Sequence, residues 1–254
     1  MIKFLKDIYL LVSAEAVIHL REPVWIFVGI FEPLVYLVLF APFLKGVASA
    51  PGFPSESIIQ FFAPGLLIMI TLFGTAFVGF GLLDKLDSGI LERLRVTPVS
   101  RLSFALGYLL ESALVLIVQC LIILLCSLAM GLKLHVIGLV ILFILIFLVG
   151  VVMASFSCAL ALIVKDGSVL ASTVNFVILP LYLLSGIMLP LKFAPGIIQT
   201  IATFNPFSYA VEASRELLGG EIFTSSVIIA FVLFFILAII TLNWFIRIIQ
   251  ETVS

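Results

Sequence analysis

LDKLDSGILERLRVTPVSRLSF, residues 83–104, packs seven charged side chains into one short connection: Asp84, Lys85, Asp87, Glu92, Arg93, Arg95 and Arg101. The whole chain of 254 residues has only 13 Lys and Arg and 14 Asp and Glu. Apolar runs stand on both sides of this stretch, each long enough to cross a bilayer, for which about 20 mostly apolar residues are needed. Charge at the bilayer centre is unfavourable, so a charged island between two such runs marks a return to water. Its placement divides the rest of the chain into spans.

The composition supports that division. Hydrophobic residues make up 64% and charged residues 11%, and the mean hydropathy is +1.40, where soluble domains are roughly half apolar. The formal net charge of -1 offers no basic surface for nucleic acid. Cys120, Cys126 and Cys158 fall inside apolar runs without CxxC spacing, so they read as packing residues rather than as a disulfide framework or metal ligands, and no metal site is expected.

Six segments qualify as spans: 24–43, 57–83, 103–130, 136–164, 168–190 and 225–246. The fold class expected is therefore an all-α integral membrane protein forming a single transmembrane domain, residues 1–254. Six spans put both termini on one side. With the N-terminus inside, nine basic residues (Lys3, Lys6, Arg21, Lys85, Arg93, Arg95, Arg101, Lys165 and Arg247) are cytoplasmic, and four (Lys45, Lys133, Lys192 and Arg215) are outside. That distribution satisfies the positive-inside bias and makes residues 83–104 cytoplasmic.

Residues 1–22 are too short and too polar to span. Asp7 interrupts the apolar stretch after Lys3 and Lys6, leaving a core shorter than a cleaved signal needs. A stripe of Ile2, Leu5, Tyr9, Val12, Ala16 and Leu20 reads either as a helix lying along the inner interface or as a plain extension of the first span. In the charged connection, Asp87 or Ser88 can cap a helix with Ile90, Leu91 and Leu94 on one face and Glu92, Arg93 and Arg95 toward water. Pro98 stops it. A helix of about nine residues is marginal alone and needs something to dock on.

The run Ser88-Gly89-Ile90-Leu91-Glu92-Arg93-Leu94-Arg95-Val96-Thr97-Pro98 resembles the cytoplasmic segment after the second span of the type 2 permeases of ATP-binding-cassette exporters, which include daunorubicin-resistance and nodulation-factor export permeases. Asn205-Pro206-Phe207-Ser208-Tyr209 with Arg215, after Ser185-Gly186 and Pro190, is similar to that family's segment before its last span. Asp84-Lys85 and Ile90 stand where the family usually has an Arg-Glu pair and a Thr. The resemblance implies that Gly89, Ile90, Leu91, Glu92, Arg93 and Arg95 belong to a coupling helix seated on a separate ATPase subunit. It implies an assembly of two permeases with two ATPases, the second permease being another copy of this chain. ATP and its Mg would bind on the partner, and no cofactor on this chain, which has no GxxxxGK[ST] loop. The family lives in the cell (inner) membrane, among its lipids, as multi-pass exporters of amphipathic drugs, lipids or lipid-linked glycans.

Glu32, about eight residues into the first span and followed by Pro33, is either a polar point on the substrate path or dimer seam or a neutral carboxyl bonded locally. Glu111 in the third span carries the same alternatives. Between spans five and six, residues 195–204 and 208–218 read as two short helices. Ser208, Glu212, Arg215 and Glu216 share one face of the second. The resemblance makes such re-entrant helices the cap of the exit, with Asn205, Pro206, Tyr209, Glu212 and Arg215 as candidate gate residues. A secondary transporter would show matched halves with interrupted helices, and only the fifth span is clearly interrupted. A hydrolase built on Ser185 lacks a base in any span, since His19 and His135 are the only histidines.

Overall fold

In the computed structural model, residues 2–21, 24–40, 57–90, 100–188 and 190–252 are described, and all regular structure among them is helical. The chain runs α1 (Ile2–Arg21), α2 (Val24–Val35) with a π-helical turn at Tyr36–Phe40, α3 (Ile58–Ala76) and α4 (Val78–Asp87). It continues as α5 (Arg101–Ala129), α6 (Val136–Val164), α7 (Gly167–Leu183), a 3-10 turn at Leu191–Phe193, α8 (Gly196–Ala202), α9 (Pro206–Gly219) and α10 (Ser225–Thr252). Four stretches among the described residues are long and apolar enough to cross a membrane: Ile58–Asp87, Leu102–Ala129, Val136–Val164 and Ser225–Glu251. Gly29–Leu39 and Gly167–Leu183 are apolar but shorter. Residues 41–43 of the expected first span, and Leu91, Glu92, Arg93 and Arg95 of the expected coupling helix, lie outside the described residues.

The α3–α4 rod breaks at Phe77 (φ -97, ψ 2). Two hydroxyls one turn apart prepare the break: Thr71 donates to the Leu67 carbonyl and Thr75 to the Thr71 carbonyl, the back-bonding that bends helices. The groups at the break find partners on neighbouring helices. The Gly79 amide donates to Ser157 Oγ at 3.0 Å, and the Tyr108 hydroxyl donates to the Val78 carbonyl at 2.9 Å. Two close approaches fix α6 at the centre. A Cβ on Gly79 would lie 2.5 Å from the Ser157 carbonyl, and one on Gly138 only 1.8 Å from that of Leu217, so α4 and α9 touch α6 backbone to backbone.

One large apolar cluster joins α3, α5, α6, α9 and α10, and a smaller one gathers Leu82, Phe104, Tyr108, Cys158, Phe245 and Ile249. The smaller cluster lies at the end of the bundle where α4 finishes, α5 starts and α10 closes. There α1 lies against α5, with Ile8 and Leu11 over Gly107, and Glu15 Oε1 accepts from Lys85 Nζ at 2.5 Å. The N-terminal helix and the last turns of α10 therefore share one end. On α1, Phe4, Ile8, Leu11, Val12 and Glu15 are half-buried while Tyr9 is 70% exposed.

The fifth expected span shortens for a local reason. α7 ends at Leu183, three residues after Pro180. The Ser185 hydroxyl donates to the Tyr182 carbonyl at 2.6 Å and Gly186 takes φ +77, a conformation glycine adopts freely. α6 and α7 are joined by Lys165 in the left-handed region (φ 53) and by Asp166, which caps α7 through the amides of Ser168 and Val169.

Candidate functional site

At the opposite end of the bundle from the termini, the start of α3, the α5–α6 connection, the turn after α7, α8 and α9 enclose a cavity of about 930 Å³. α9 forms one wall because its sequence gives it two kinds of surface. Phe207, Ala210, Val211, Ser214, Leu217 and Leu218 are buried against the bundle, and Ser208, Tyr209, Glu212, Arg215 and Glu216 line the cavity. Its start is capped by Asn205, whose Oδ1 accepts from the Phe207 amide at 3.0 Å with Pro206 in the first turn, where proline is tolerated. Asn205 Nδ2 also donates to the Leu181 carbonyl at 2.7 Å, tying α9 to the end of α7. Ser208 donates to the carbonyls of Ala202 and Asn205, and Tyr209 to that of Thr203 at 3.0 Å, so both side chains brace the α8–α9 corner.

Arg215 is the centre of this end. Its Nη2 donates to the Gly186 carbonyl at 2.8 Å and its Nε to the Phe61 carbonyl at 3.3 Å. The guanidinium lies 3.7 Å from the centre of the Phe61 ring, and Nη1 meets Glu212 Oε2 at 3.5 Å. One planar cation thus holds α9, α3 and the glycine turn after α7 together, a task suited to its fork of donors and flat face. Burial pulls the guanidinium down to about 10, with Glu212 pulling the other way, so Arg215 stays charged at neutral pH.

Of the five candidate gate residues, Tyr209, Glu212 and Arg215 line this cavity, while Asn205 and Pro206 stand at the start of α9. Glu32 lies elsewhere, exposed on α2 beside exposed Phe31. Glu111 is buried on α5, one turn after Tyr108. Ser185 spends its hydroxyl on the turn, donating to Tyr182 and accepting from the Ile187 amide. Of the coupling residues, Gly89 (φ 72) ends the turn after α4 and Ile90 is exposed.

The sequence reading missed Gln60, Lys133, His135 and Lys192 as lining residues of the same cavity. Gln60 exchanges two hydrogen bonds with the Lys133 backbone at 2.9 and 3.1 Å, which joins α3 to the α5–α6 connection. A signal existed: of the four basic residues assigned to the outside, Lys133, Lys192 and Arg215 all reach this cavity.

A family model described as ABC-2 type transporter matches residues 6–218, which takes in both the charged connection and the whole cavity wall of α9. The chain is 28% identical over 227 residues to a putative transport permease, ycf38, of Cyanophora paradoxa, covering 88% of this chain and 78% of that protein. It is 30% identical over 214 residues to the putative transport permease ycf38 of Porphyra purpurea, covering 82% and 73%. With the daunorubicin resistance ABC transporter permease protein DrrB1 of Streptomyces coeruleorubidus it shares 27% identity over 200 residues, covering 78% and 70%.

Proposed function

The chain belongs to the ABC-2 type transporter family, and from that premise we propose that it is the membrane-spanning subunit of an ATP-binding-cassette exporter, driven by a separate ATPase. The observation that carries this reading is the family match across residues 6–218. It leaves the ATP chemistry to a partner, since the sequence has no phosphate-cradling GxxxxGK[ST] loop. In this reading ATP and Mg bind on the ATPase subunit, and two copies of the chain pair with two ATPases in the cell membrane.

Six spans cross the bilayer with both termini in the cytoplasm. The short apolar helices α2 and α7 complete the four long ones, and α8 and α9 dip into the outer interface without crossing. Residues 89–96 form the coupling helix, with Glu92, Arg93 and Arg95 making charge-assisted contacts to the ATPase and Ile90 and Leu91 burying beside them. Glu32, exposed on α2, faces the translocation path or the second copy. The Arg215 clamp and the Asn205 cap hold the exit end. Export is favoured by the likeness to a protein named for daunorubicin resistance, and the cargo is an amphiphile such as a drug, a lipid or a lipid-linked glycan.

The test is reconstitution with the cognate ATPase. The chain alone hydrolyses no ATP, and activity with substrate export appears when both subunits are present. Glu92→Arg weakens ATPase association tenfold or more while insertion stays intact, because breaking a buried interfacial charge pair costs about 2–5 kcal/mol. Hydrolysis by the purified chain alone, or wild-type binding and export by Glu92→Arg, contradicts the respective part of this reading.

A further inference from the structure

The cavity at the α9 end is separated by sign. Its carboxylates, Glu212, Glu216 and Glu221, all come from α9 and the turn that ends it, while Lys133 and Lys192 arrive from two other segments. Arg215 is committed to Glu212 and to two backbone carbonyls. Among the described residues, neither lysine has a carboxylate within ion-pair distance, so their ammonium groups are available in the cavity. His135 stands with them: its Nδ1 accepts from the Gly138 amide at 3.3 Å, which leaves Nε2 as the donor. A volume of about 930 Å³ is in the range that holds a drug-sized ligand.

The segment that lines the cavity carries an apolar outer face. Gln199, Ala202 and Thr203 face inward. On the opposite face of the same segment Ile197 is 77% and Phe204 84% exposed, with Phe193 and Ile201 beside them. A largely apolar cavity that carries charges of both signs, beside an apolar helix face, fits a molecule with a compact charged head and a greasy tail. A purely anionic head would meet three carboxylates, and a purely apolar ligand would leave the lysines and carboxylates desolvated without partners.

We propose that this cavity binds the zwitterionic head group of an amphiphile, its phosphate toward Lys133 and Lys192 and its ammonium toward Glu212, Glu216 and Glu221, with the tail leaving the cavity toward the membrane. The proposal concerns binding by the chain itself and does not rest on the export reading. The head group belongs either to a membrane phospholipid or to an exported amphiphile of the same chemistry.

The full-length chain, purified in a non-ionic detergent, is titrated calorimetrically with dihexanoyl phosphatidylethanolamine and with dihexanoyl phosphatidylglycerol, no ATPase being present. The zwitterion binds at least tenfold tighter than the anion. The Lys133→Ala/Lys192→Ala variant loses tenfold or more of that affinity, Glu221→Lys shifts the preference toward the anion, and Lys165→Ala, at the other end of the bundle, changes nothing. Equal binding of the two lipids, or wild-type binding by the double variant, overturns the proposal. Should the double variant melt early, the Glu221→Lys preference decides alone, and an unchanged preference overturns it. Mass spectrometry of the chain extracted from its membrane separates the sources: a co-purifying phospholipid that the double variant lacks marks resident lipid, and its absence from the wild type marks exported cargo.

Discussion

Replacing Arg215 by Met removes the clamp while keeping most of the side-chain volume. Hydrogen bonds from a charged donor contribute about 1.5–3 kcal/mol each, and the two at stake differ in quality. The 2.8 Å bond to Gly186 is short and the 3.3 Å bond to Phe61 is long, so the first counts near the middle of that range and the second below it. Stacking on Phe61 at 3.7 Å adds about 0.5–2 kcal/mol. The Glu212 pair adds little, because Glu212 is itself exposed and such pairs contribute about 0–1 kcal/mol. Met recovers part of the apolar contact with Phe61, and the guanidinium no longer has to be desolvated. The balance is a loss of about 2–4 kcal/mol. Arg215→Lys keeps the charge but has neither the fork nor the flat face, so it falls between Met and wild type. Thermal unfolding of the detergent-purified chain, followed by intrinsic fluorescence, reads this as a drop of several degrees for Met and a smaller one for Lys. A Met variant that melts with the wild type refutes the clamp, and a Lys variant as damaged as Met refutes the share given to charge.

Gly138→Ala forces α6 away from the Leu217 carbonyl and lowers the melting temperature, an overpacking loss of about 1–3 kcal/mol or more, whereas alanine at exposed Gly196, with open space around it, does not. The Ser168 hydroxyl and the amides of Val169 and Ser168 hold the Asp166 carboxyl below its ordinary value. Its cap on α7 is therefore fully present above the ordinary carboxylate range and is lost as pH falls through the lowered folded value. Asp166→Ala thus destabilises at neutral pH, Asp166→Asn much less, and the difference between wild type and Ala closes in acid melts. Single cysteines at Ser88 and Ser208, in a chain without the three native ones, are labelled by impermeant reagents from opposite faces of the membrane, and labelling of both from outside refutes the six-span topology.

The long helices were legible because a membrane span writes itself as an uninterrupted apolar run. The expected 136–164 matches α6 residue for residue, and the short helices before α10 were marked by Pro195, Asn205 and Gly220, residues that start and stop helices. What the sequence hid was how the helices meet. Ser157 filling the gap at the α3–α4 break and Gly138 lying on Leu217 are contacts between residues far apart in the chain, and neither has a local pattern. The candidate gate residues were marked by resemblance, whereas Lys133 and Lys192 reach the cavity from segments far from α9 in the sequence.

The described residues on both sides of the charged connection are tied to α1. Just before it, Lys85 is held by Glu15 and lies over the Tyr108 ring at 5.3 Å. Just after it, Ser100 caps α5 through the Ser103 amide at 3.0 Å, and two turns on Gly107 receives Leu11 of α1. Both flanks therefore bear on α1. The break at Phe77 separates α4 from α3, while α3 is held at its far end by Gln60 and by the stacking of Arg215 on Phe61. In the proposed coupling, displacement of the connection reaches α4 and bends the rod at Phe77, because α3 is held at its far end. The Gly79–Ser157 and Tyr108–Val78 hydrogen bonds at the joint are the contacts such bending has to stretch first.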